Sequence, residues 1–150
     1  MSSLMVRDVM TRDVVAVRPD TPFGDIVDTL AENQISAVPV VDRGGLVVGV
    51  VSEADVLSKL RPAVRRHSSR WLPSGRDRLA RAKASVGTAR EVMSTNLVTA
   101  LPDTWVVVAA QRMDQAGVRR LVVVDELGRI RGILSRHDLL KVLQRPGHLR

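Results

Sequence analysis

Two short stretches hold the groups best suited to chemistry. Gly49-Val50-Val51-Ser52-Glu53-Ala54-Asp55 returns as Gly132-Ile133-Leu134-Ser135-Arg136-His137-Asp138. Each copy is a glycine, two apolar residues, a serine, two variable residues and an aspartate, preceded by an apolar run and followed by Val56-Leu57 or Leu139-Leu140. Such a pattern is a strand running into a helix start, with the serine at the N-cap and the aspartate in the first turn, where the helix dipole favours negative charge. A serine hydroxyl beside free backbone amides can hold a phosphate, and a carboxylate one turn on can accept from a sugar diol. The alternative is a capping box, in which the same two side chains only stabilise the helix. One copy alone would favour that alternative. Two copies in the same strand-to-helix context point to a ligand.

Other chemistries find little material. The chain has no cysteine, which excludes disulfides, thiolate metal sites and a cysteine nucleophile. The histidines, His67, His137 and His148, have no metal-ligand spacing, and His137 reads as a first-turn surface residue. No nucleophile has an adjacent histidine base, no glycine-rich loop precedes a lysine, and the carboxylates are scattered, so neither catalytic residues nor an enzyme is expected. Aromatic residues make up 2% of the chain, with no tyrosine and Phe23 as the single phenylalanine, so stacking platforms for single-stranded nucleic acid are poorly supplied. Trp105 begins an apolar helix and is expected to pack, whereas Trp71 lies in a basic stretch and is placed to act as an interaction anchor. Met10, Met93 and Met113 read as core filler.

Charge is unevenly placed. Of the formal net charge of +7, the stretch from Arg61 to Arg90 carries +8 and the remainder −1. That concentration marks one segment, not the folded halves, for electrostatic contact with nucleic acid or another acidic partner. The opening Met-Ser-Ser-Leu-Met-Val-Arg-Asp meets an acid at once and lacks the apolar core of a secretory signal. Apolar runs such as Trp105 to Ala110 are far too short to span a bilayer. A cytoplasmic protein without membrane insertion is expected.

The elements that must position the serine–aspartate pairs follow from an internal repeat. An offset of 83 holds without a gap from Val9–Leu60 to Val92–Leu143. Val9-Met10-Thr11 meets Val92-Met93-Ser94, Pro19-Asp20-Thr21 meets Pro102-Asp103-Thr104, and Val40-Val41-Asp42 meets Val123-Val124-Asp125. Two related supersecondary units result. In the first, Val6 to Met10 predicts a short helical turn and Val14 to Val17 a brief strand. Thr21 is read as a helix cap with Pro22 at the first helical position, and Phe23, Ile26, Val27, Leu30 and Ala31 recur at helical spacing up to Asn33-Gln34. Val38 to Val41 and Leu46 to Val51 are apolar runs joined by the hairpin signal Asp42-Arg43-Gly44-Gly45, and a closing helix starts at Glu53 and passes Val56, Leu57 and Leu60. The second unit predicts strands at Leu97–Leu101, Leu121–Val124 and Ile130–Leu134, with helices at Trp105–Ala116 and Arg136–Leu143. It differs where Ser36-Ala37-Val38-Pro39 becomes Arg119-Arg120-Leu121-Val122. Residues 61–88 have no counterpart and read as a basic, solvated linker, partly disordered, with a short helix over Leu79–Ala84. The tail, 145–150, is expected to fray.

A duplicated β-α-β-β-α unit with Val-Met-Thr at its start, Val-Pro-Val-Val-Asp in its middle and Gly-x-x-Ser-x-x-Asp at its end resembles the CBS domain, and the tandem arrangement resembles a CBS pair, or Bateman module. The resemblance covers nearly all of the chain outside the linker and tail, giving CBS units at 6–60 and 89–144. It implies an α+β fold in which two units pack pseudo-symmetrically through their sheets, and a homodimer of such modules. It also implies a regulatory, non-catalytic role, with AMP, ADP, ATP or S-adenosylmethionine bound in clefts between units as regulatory ligand and no cofactor required. A protein partner would read the signal. Carried over, Asp138 would accept from the ribose hydroxyls and Ser135 would contact phosphate, with Thr11 to Val15 lining the base pocket opposite. Arg119-Arg120-Leu121-Val122-Val123-Val124-Asp125 resembles a phosphate-binding stretch in the nucleotide-sensing subunit of AMP-activated protein kinase, and arginine's planar fork can donate to two phosphate oxygens at once. The related cleft would use Ser52 and Asp55 beside Ser36 and Ala37, with Ser94 to Val98 opposite, and would hold phosphate more weakly for want of the arginines. Val122 departs from the family's usual proline, present at Pro39. Proteins with a similar opening and basic stretch often carry a further C-terminal BON domain; with the sequence ending at Arg150, none is expected.

Overall fold

A computed structural model describes residues 4–66 and 75–144. Trp71, His67, His148 and the tail, with the anchoring, metal and fraying expectations attached to them, lie outside the described residues. Helices α1 (Val6–Val9), α2 (Phe23–Asn33), α3 (Glu53–Arg66), α4 (Gly75–Ser85), α5 (Ala89–Val92), α6 (Val106–Ala116) and α7 (Arg136–Gln144) alternate with strands β1 (Ala37–Val41), β2 (Val47–Ser52), β3 (Thr99–Ala100), β4 (Arg120–Val124) and β5 (Ile130–Ser135). The strands form a two-stranded sheet, β1-β2, and a three-stranded sheet, β3-β4-β5.

Backbone contacts gather these elements into two compact units, 1–14 with 44–47 and 96–150, and 15–43 with 48–95. Neither unit is a contiguous repeat, because the leading segment of each repeat docks on the body of the other. In the unit built on the second repeat, Val6 and Arg7 donate to the carbonyls of Thr104 and Pro102 at 2.8 and 2.9 Å, and Thr11 and Ile133 exchange both backbone hydrogen bonds at 2.9 and 3.0 Å. In the other unit the bonds recur 83 residues on: Ala89 and Arg90 donate to Thr21 and Pro19 at 2.8 and 2.9 Å, and Ser94 and Val50 exchange theirs at 2.9 and 3.0 Å. Each unit has its own apolar core. One gathers Phe23, Ile26, Leu30, Val38, Val40 and Val51 with Ala89 and Val92 of the docked segment. The other gathers Ala109, Met113, Leu121, Val123 and Leu134 with Val6 and Met10 of its docked segment.

Helix α2 forms because Phe23, Ile26 and Leu30 fall on one buried stripe. Its start differs from the expected one. The Thr21 hydroxyl accepts the Arg18 N–H at 2.9 Å and closes the preceding turn, so Pro22 takes the N-cap position and the Phe23 N–H donates to the Gly87 carbonyl at 2.8 Å. The predicted strand at Val14–Val17 reduces to a single parallel bridge, Val17 to Val40. Thr99–Ala100 is all that remains of the one predicted at Leu97–Leu101. Trp105, expected to pack, is 43% exposed, because it holds the N-cap of α6 ahead of Ala109, the first residue of that helix to be buried. The stretch read as a solvated linker is largely helical where described. Helix α3 continues through Pro62 to Arg66, and α4 spans 75–85, anchored by the buried Ala63 and Ala82. Pro62 removes the donor that the Ser58 carbonyl would receive, and Ser58 is exposed, so water can take that place.

Candidate functional site

The two strand-to-helix junctions hold the predicted pairs within bonding distance. The Ser135 N–H donates to Asp138 Oδ2 at 2.9 Å, and the Asp138 N–H donates to Ser135 Oγ at 3.1 Å. At the other junction the Ser52 N–H donates to Asp55 Oδ2 at 2.9 Å and the Asp55 N–H to Ser52 Oγ at 3.2 Å, but here the Ser52 hydroxyl also lies 2.9 Å from Asp55 Oδ2 and donates to it. Both pairs therefore are reciprocal capping boxes. Capping does not use up the groups. A carboxylate offers about four lone-pair sites on two oxygens, and the cap engages Oδ2 alone, so Asp138 Oδ1 is left to accept from a ligand. The Ser135 hydroxyl accepts in the cap and keeps its proton to donate, whereas that of Ser52 is spent on Asp55.

Strand pairing places the neighbouring residues. Arg120 is the register partner of Ser135, so the two side chains share one face of the sheet, opposite the face of the buried pair Leu121 and Leu134. Arg120 is half-buried; Arg119 is exposed and its carbonyl accepts the Arg136 N–H at 2.9 Å. Ser36 occupies the equivalent position, its carbonyl accepting the Glu53 N–H at 2.9 Å. Ala37 is buried in β1 at 7% exposure, which leaves its backbone, not its methyl, to meet any ligand.

The motif glycines have a structural task. A Cβ on Gly132 would lie 2.7 Å from the Thr11 carbonyl oxygen, and one on Gly49 would lie 2.5 Å from Met93 Sδ. Glycine is what lets the docked segment bridge the strand, bringing Thr11 against Ile133 and Ser94 against Val50.

A cleft of about 770 Å³ opens in the unit built on the second repeat, lined among others by Asp8, Thr11, His137, Asp138 and Lys141. It joins two predicted residues, Thr11 and Asp138. Ser135, Arg119 and Arg120 lie outside its lining, and Val98 packs against the core of the same unit with its carbonyl accepting the Val122 N–H at 3.0 Å. Val15, Ser36, Ala37, Ser52 and Asp55 belong to the other compact unit. His137 is exposed in the first turn, as expected, yet it also faces the cleft. Lys141 and Asp8 also line the cleft, although neither is among the predicted residues. Lys141 is one helical turn beyond His137 and Asp138, a spacing that places the three on neighbouring positions of α7 and is readable from the sequence. Asp8 reaches the cleft only through the exchanged segment, which no local pattern reveals.

Asp125, in the turn between β4 and β5, is held below the ordinary carboxylate value of 3.8, chiefly by the Arg129 backbone N–H, with the Leu127 N–H and the Arg129 side chain adding to it against the cost of burial. Both N–H groups donate to Oδ1 at 2.9 Å and Arg129 Nε to Oδ2 at 3.1 Å. Among the described residues no cluster of three or more His, Cys, Asp or Glu is placed to hold a metal ion, and no helix is long and apolar enough to cross a membrane.

Comparison with known proteins agrees with this architecture. The CBS domain profile matches residues 6–62 and 89–145. A CBS domain-containing protein of Dictyostelium discoideum is 32% identical, over 93% of this chain and 91% of its own length. Among solved structures, the CBS domain of a CBS domain containing membrane protein from Sphaerobacter thermophilus superposes with a TM-score of 0.76 at 34% identity, over 93% of this chain and 88% of that one. CBSX2, a CBS-pair protein from Arabidopsis thaliana, solved in complex with AMP, has a TM-score of 0.75 at 25% identity, over 95% and 98% of the two chains. With two profile matches spanning most of its length, the chain belongs to the CBS domain family and carries its domains as a tandem pair.

Proposed function

We propose that the protein is a cytoplasmic, non-enzymatic regulatory module that senses an adenine nucleotide, with AMP as the first candidate ahead of ADP, ATP and S-adenosylmethionine. The observation that carries this reading is the Ser135–Asp138 junction, where a carboxylate oxygen and a hydroxyl proton remain uncommitted after capping. The likeness to CBSX2, whose structure contains AMP, supports the choice of ligand. In this reading Asp138 accepts from the ribose hydroxyls, Ser135 donates to phosphate, and Arg119 or Arg120 neutralises phosphate charge. Thr11 meets the base. The second site uses Ser52, Asp55, Ser36 and the Ala37 backbone, and binds phosphate less well because Ser52 is committed to Asp55 and no arginine stands at 36 or 37.

The module works as a homodimer and signals to a partner protein through the difference in nucleotide affinity between its two packing states. Titration calorimetry with AMP, ADP, ATP and S-adenosylmethionine tests the reading. Binding heat with AMP is expected, with affinity falling about 10–100-fold in Asp138→Ala, the range set by losing hydrogen bonds to a charged group. No heat with any of the four would leave a ligand-free structural module.

A further inference from the structure

Helices α3 and α4 lie in the same compact unit and pack on each other. The apolar side of α3 is already used: Val56 and Leu60 pack against the core and Ala63 is fully buried, as is Ala82 of α4. What the pair presents outward is mainly basic, with Leu57 and Leu79 exposed among the charges. Arg61 and Arg65, one turn apart, fall on the side of α3 opposite Ala63, Arg66 ends the helix, and Arg76 and Arg81 extend the charge onto α4; all five are exposed. Among the described residues no ion pair engages any of them; Lys83 nearby is paired with Asp28 at 3.8 Å. Asp77 is the sole acid between Arg61 and Arg90.

We infer that this two-helix face binds the phosphodiester backbone of nucleic acid, without reading sequence. Three features select that partner. The charge is carried by arginine, whose fork matches phosphate oxygens in pairs. A helix that lies in a membrane surface needs a continuous apolar face to bury in lipid, and here Val56, Leu60 and Ala63 of α3 are taken up within the protein, leaving one large apolar side chain exposed on each helix, Leu57 and Leu79, beside the arginines. Neither α3 nor α4 carries an aromatic side chain, so these two helices offer bases no stacking surface and their own contribution rests on phosphate contacts. The surface contains none of the residues assigned to the nucleotide junctions, so the inference stands or falls apart from the proposed function.

Fluorescence anisotropy with a labelled 20-base-pair DNA duplex, a 20-nucleotide RNA and phosphatidylserine vesicles tests it on the full chain. Duplex binding is expected to weaken on the order of 100-fold between 50 and 200 mM salt, as for about four phosphate contacts. Arg61→Gln/Arg65→Gln/Arg76→Gln/Arg81→Gln should abolish most of the binding and flatten the salt slope by about one per arginine removed. Arg7→Gln/Arg131→Gln, on the other unit, should leave binding nearly unchanged. The wild-type salt slope remains decisive even if the fourfold variant fails to fold. Absence of nucleic-acid binding at 50 mM salt, binding to vesicles alone, or equal loss in both variants would overturn the inference.

Discussion

Asp138 and Asp55 sit in matching capping boxes, yet their residual capacities differ, and the difference lies in one proton. The Ser52 hydroxyl donates to its aspartate and has no proton left for a ligand, while Ser135 keeps its own; in both pairs the cap engages the aspartate's Oδ2 and leaves Oδ1 outside it. Asp125 shows a carboxylate used for structure. Its acidity is raised by two backbone N–H groups and Arg129, so it stabilises the fold when ionised. That contribution is present above the ordinary carboxylate value of 3.8 and is lost as pH falls through the lower value of the folded state. Asp125→Asn should therefore lower the thermal midpoint at pH 7, with the gap from wild type closing at pH values well below 4. A gap that stays constant down to pH 2 would show that ionisation is not what the turn uses. The serine–aspartate pairs are legible in the sequence because residue type and spacing suffice for a cap. Lys141 is legible from its helical spacing, but Asp8 is not, since its place depends on which body its segment docks on.

At the scale of elements, the repeat supplies its own controls. Helix α2 ends on Gln34 with φ 53°, and the equivalent residue closing α6 is Gly117 with φ 66°. Left-handed backbone costs a side-chain-bearing residue about 1–2 kcal/mol. Gln34→Gly should raise stability by about 1 kcal/mol and Gly117→Gln should lower it by a similar amount, measured by urea unfolding; opposite signs would refute the backbone argument. The motif glycines make a second pair. In Gly132→Ala the new methyl meets backbone, the Thr11 carbonyl at 2.7 Å, but in Gly49→Ala it meets the movable thioether of Met93. Overpacking of about 1–3 kcal/mol is expected for Gly132→Ala and less for Gly49→Ala. Helices α2 and α6 and the paired strands are readable from apolar periodicity. Helix α4 is largely hidden because it buries only Ala82, a residue too small to leave a hydrophobic stripe, and Val14–Val17 misleads because its β-branched residues make one bridge instead of a ladder.

For the molecule as a whole, the gapless offset announces two like units and the CBS motifs name their family, but the offset is silent on segment exchange. Docking 4–11 on one body and 87–94 on the other satisfies the same backbone bonds either way in sequence terms, and only three-dimensional pairing decides it. Exchange is what delivers Thr11 and Asp8 to the cleft of Asp138. The central claim is that an adenine nucleotide is held by the carboxylate of that junction. Its most direct test is AMP affinity in Asp138→Asn beside Asp55→Asn, with the unfolding midpoint of each recorded. Both variants should remain folded, AMP affinity should drop about 10-fold or more in Asp138→Asn, and the drop in Asp55→Asn should be smaller. Unchanged AMP affinity in a folded Asp138→Asn would contradict the account.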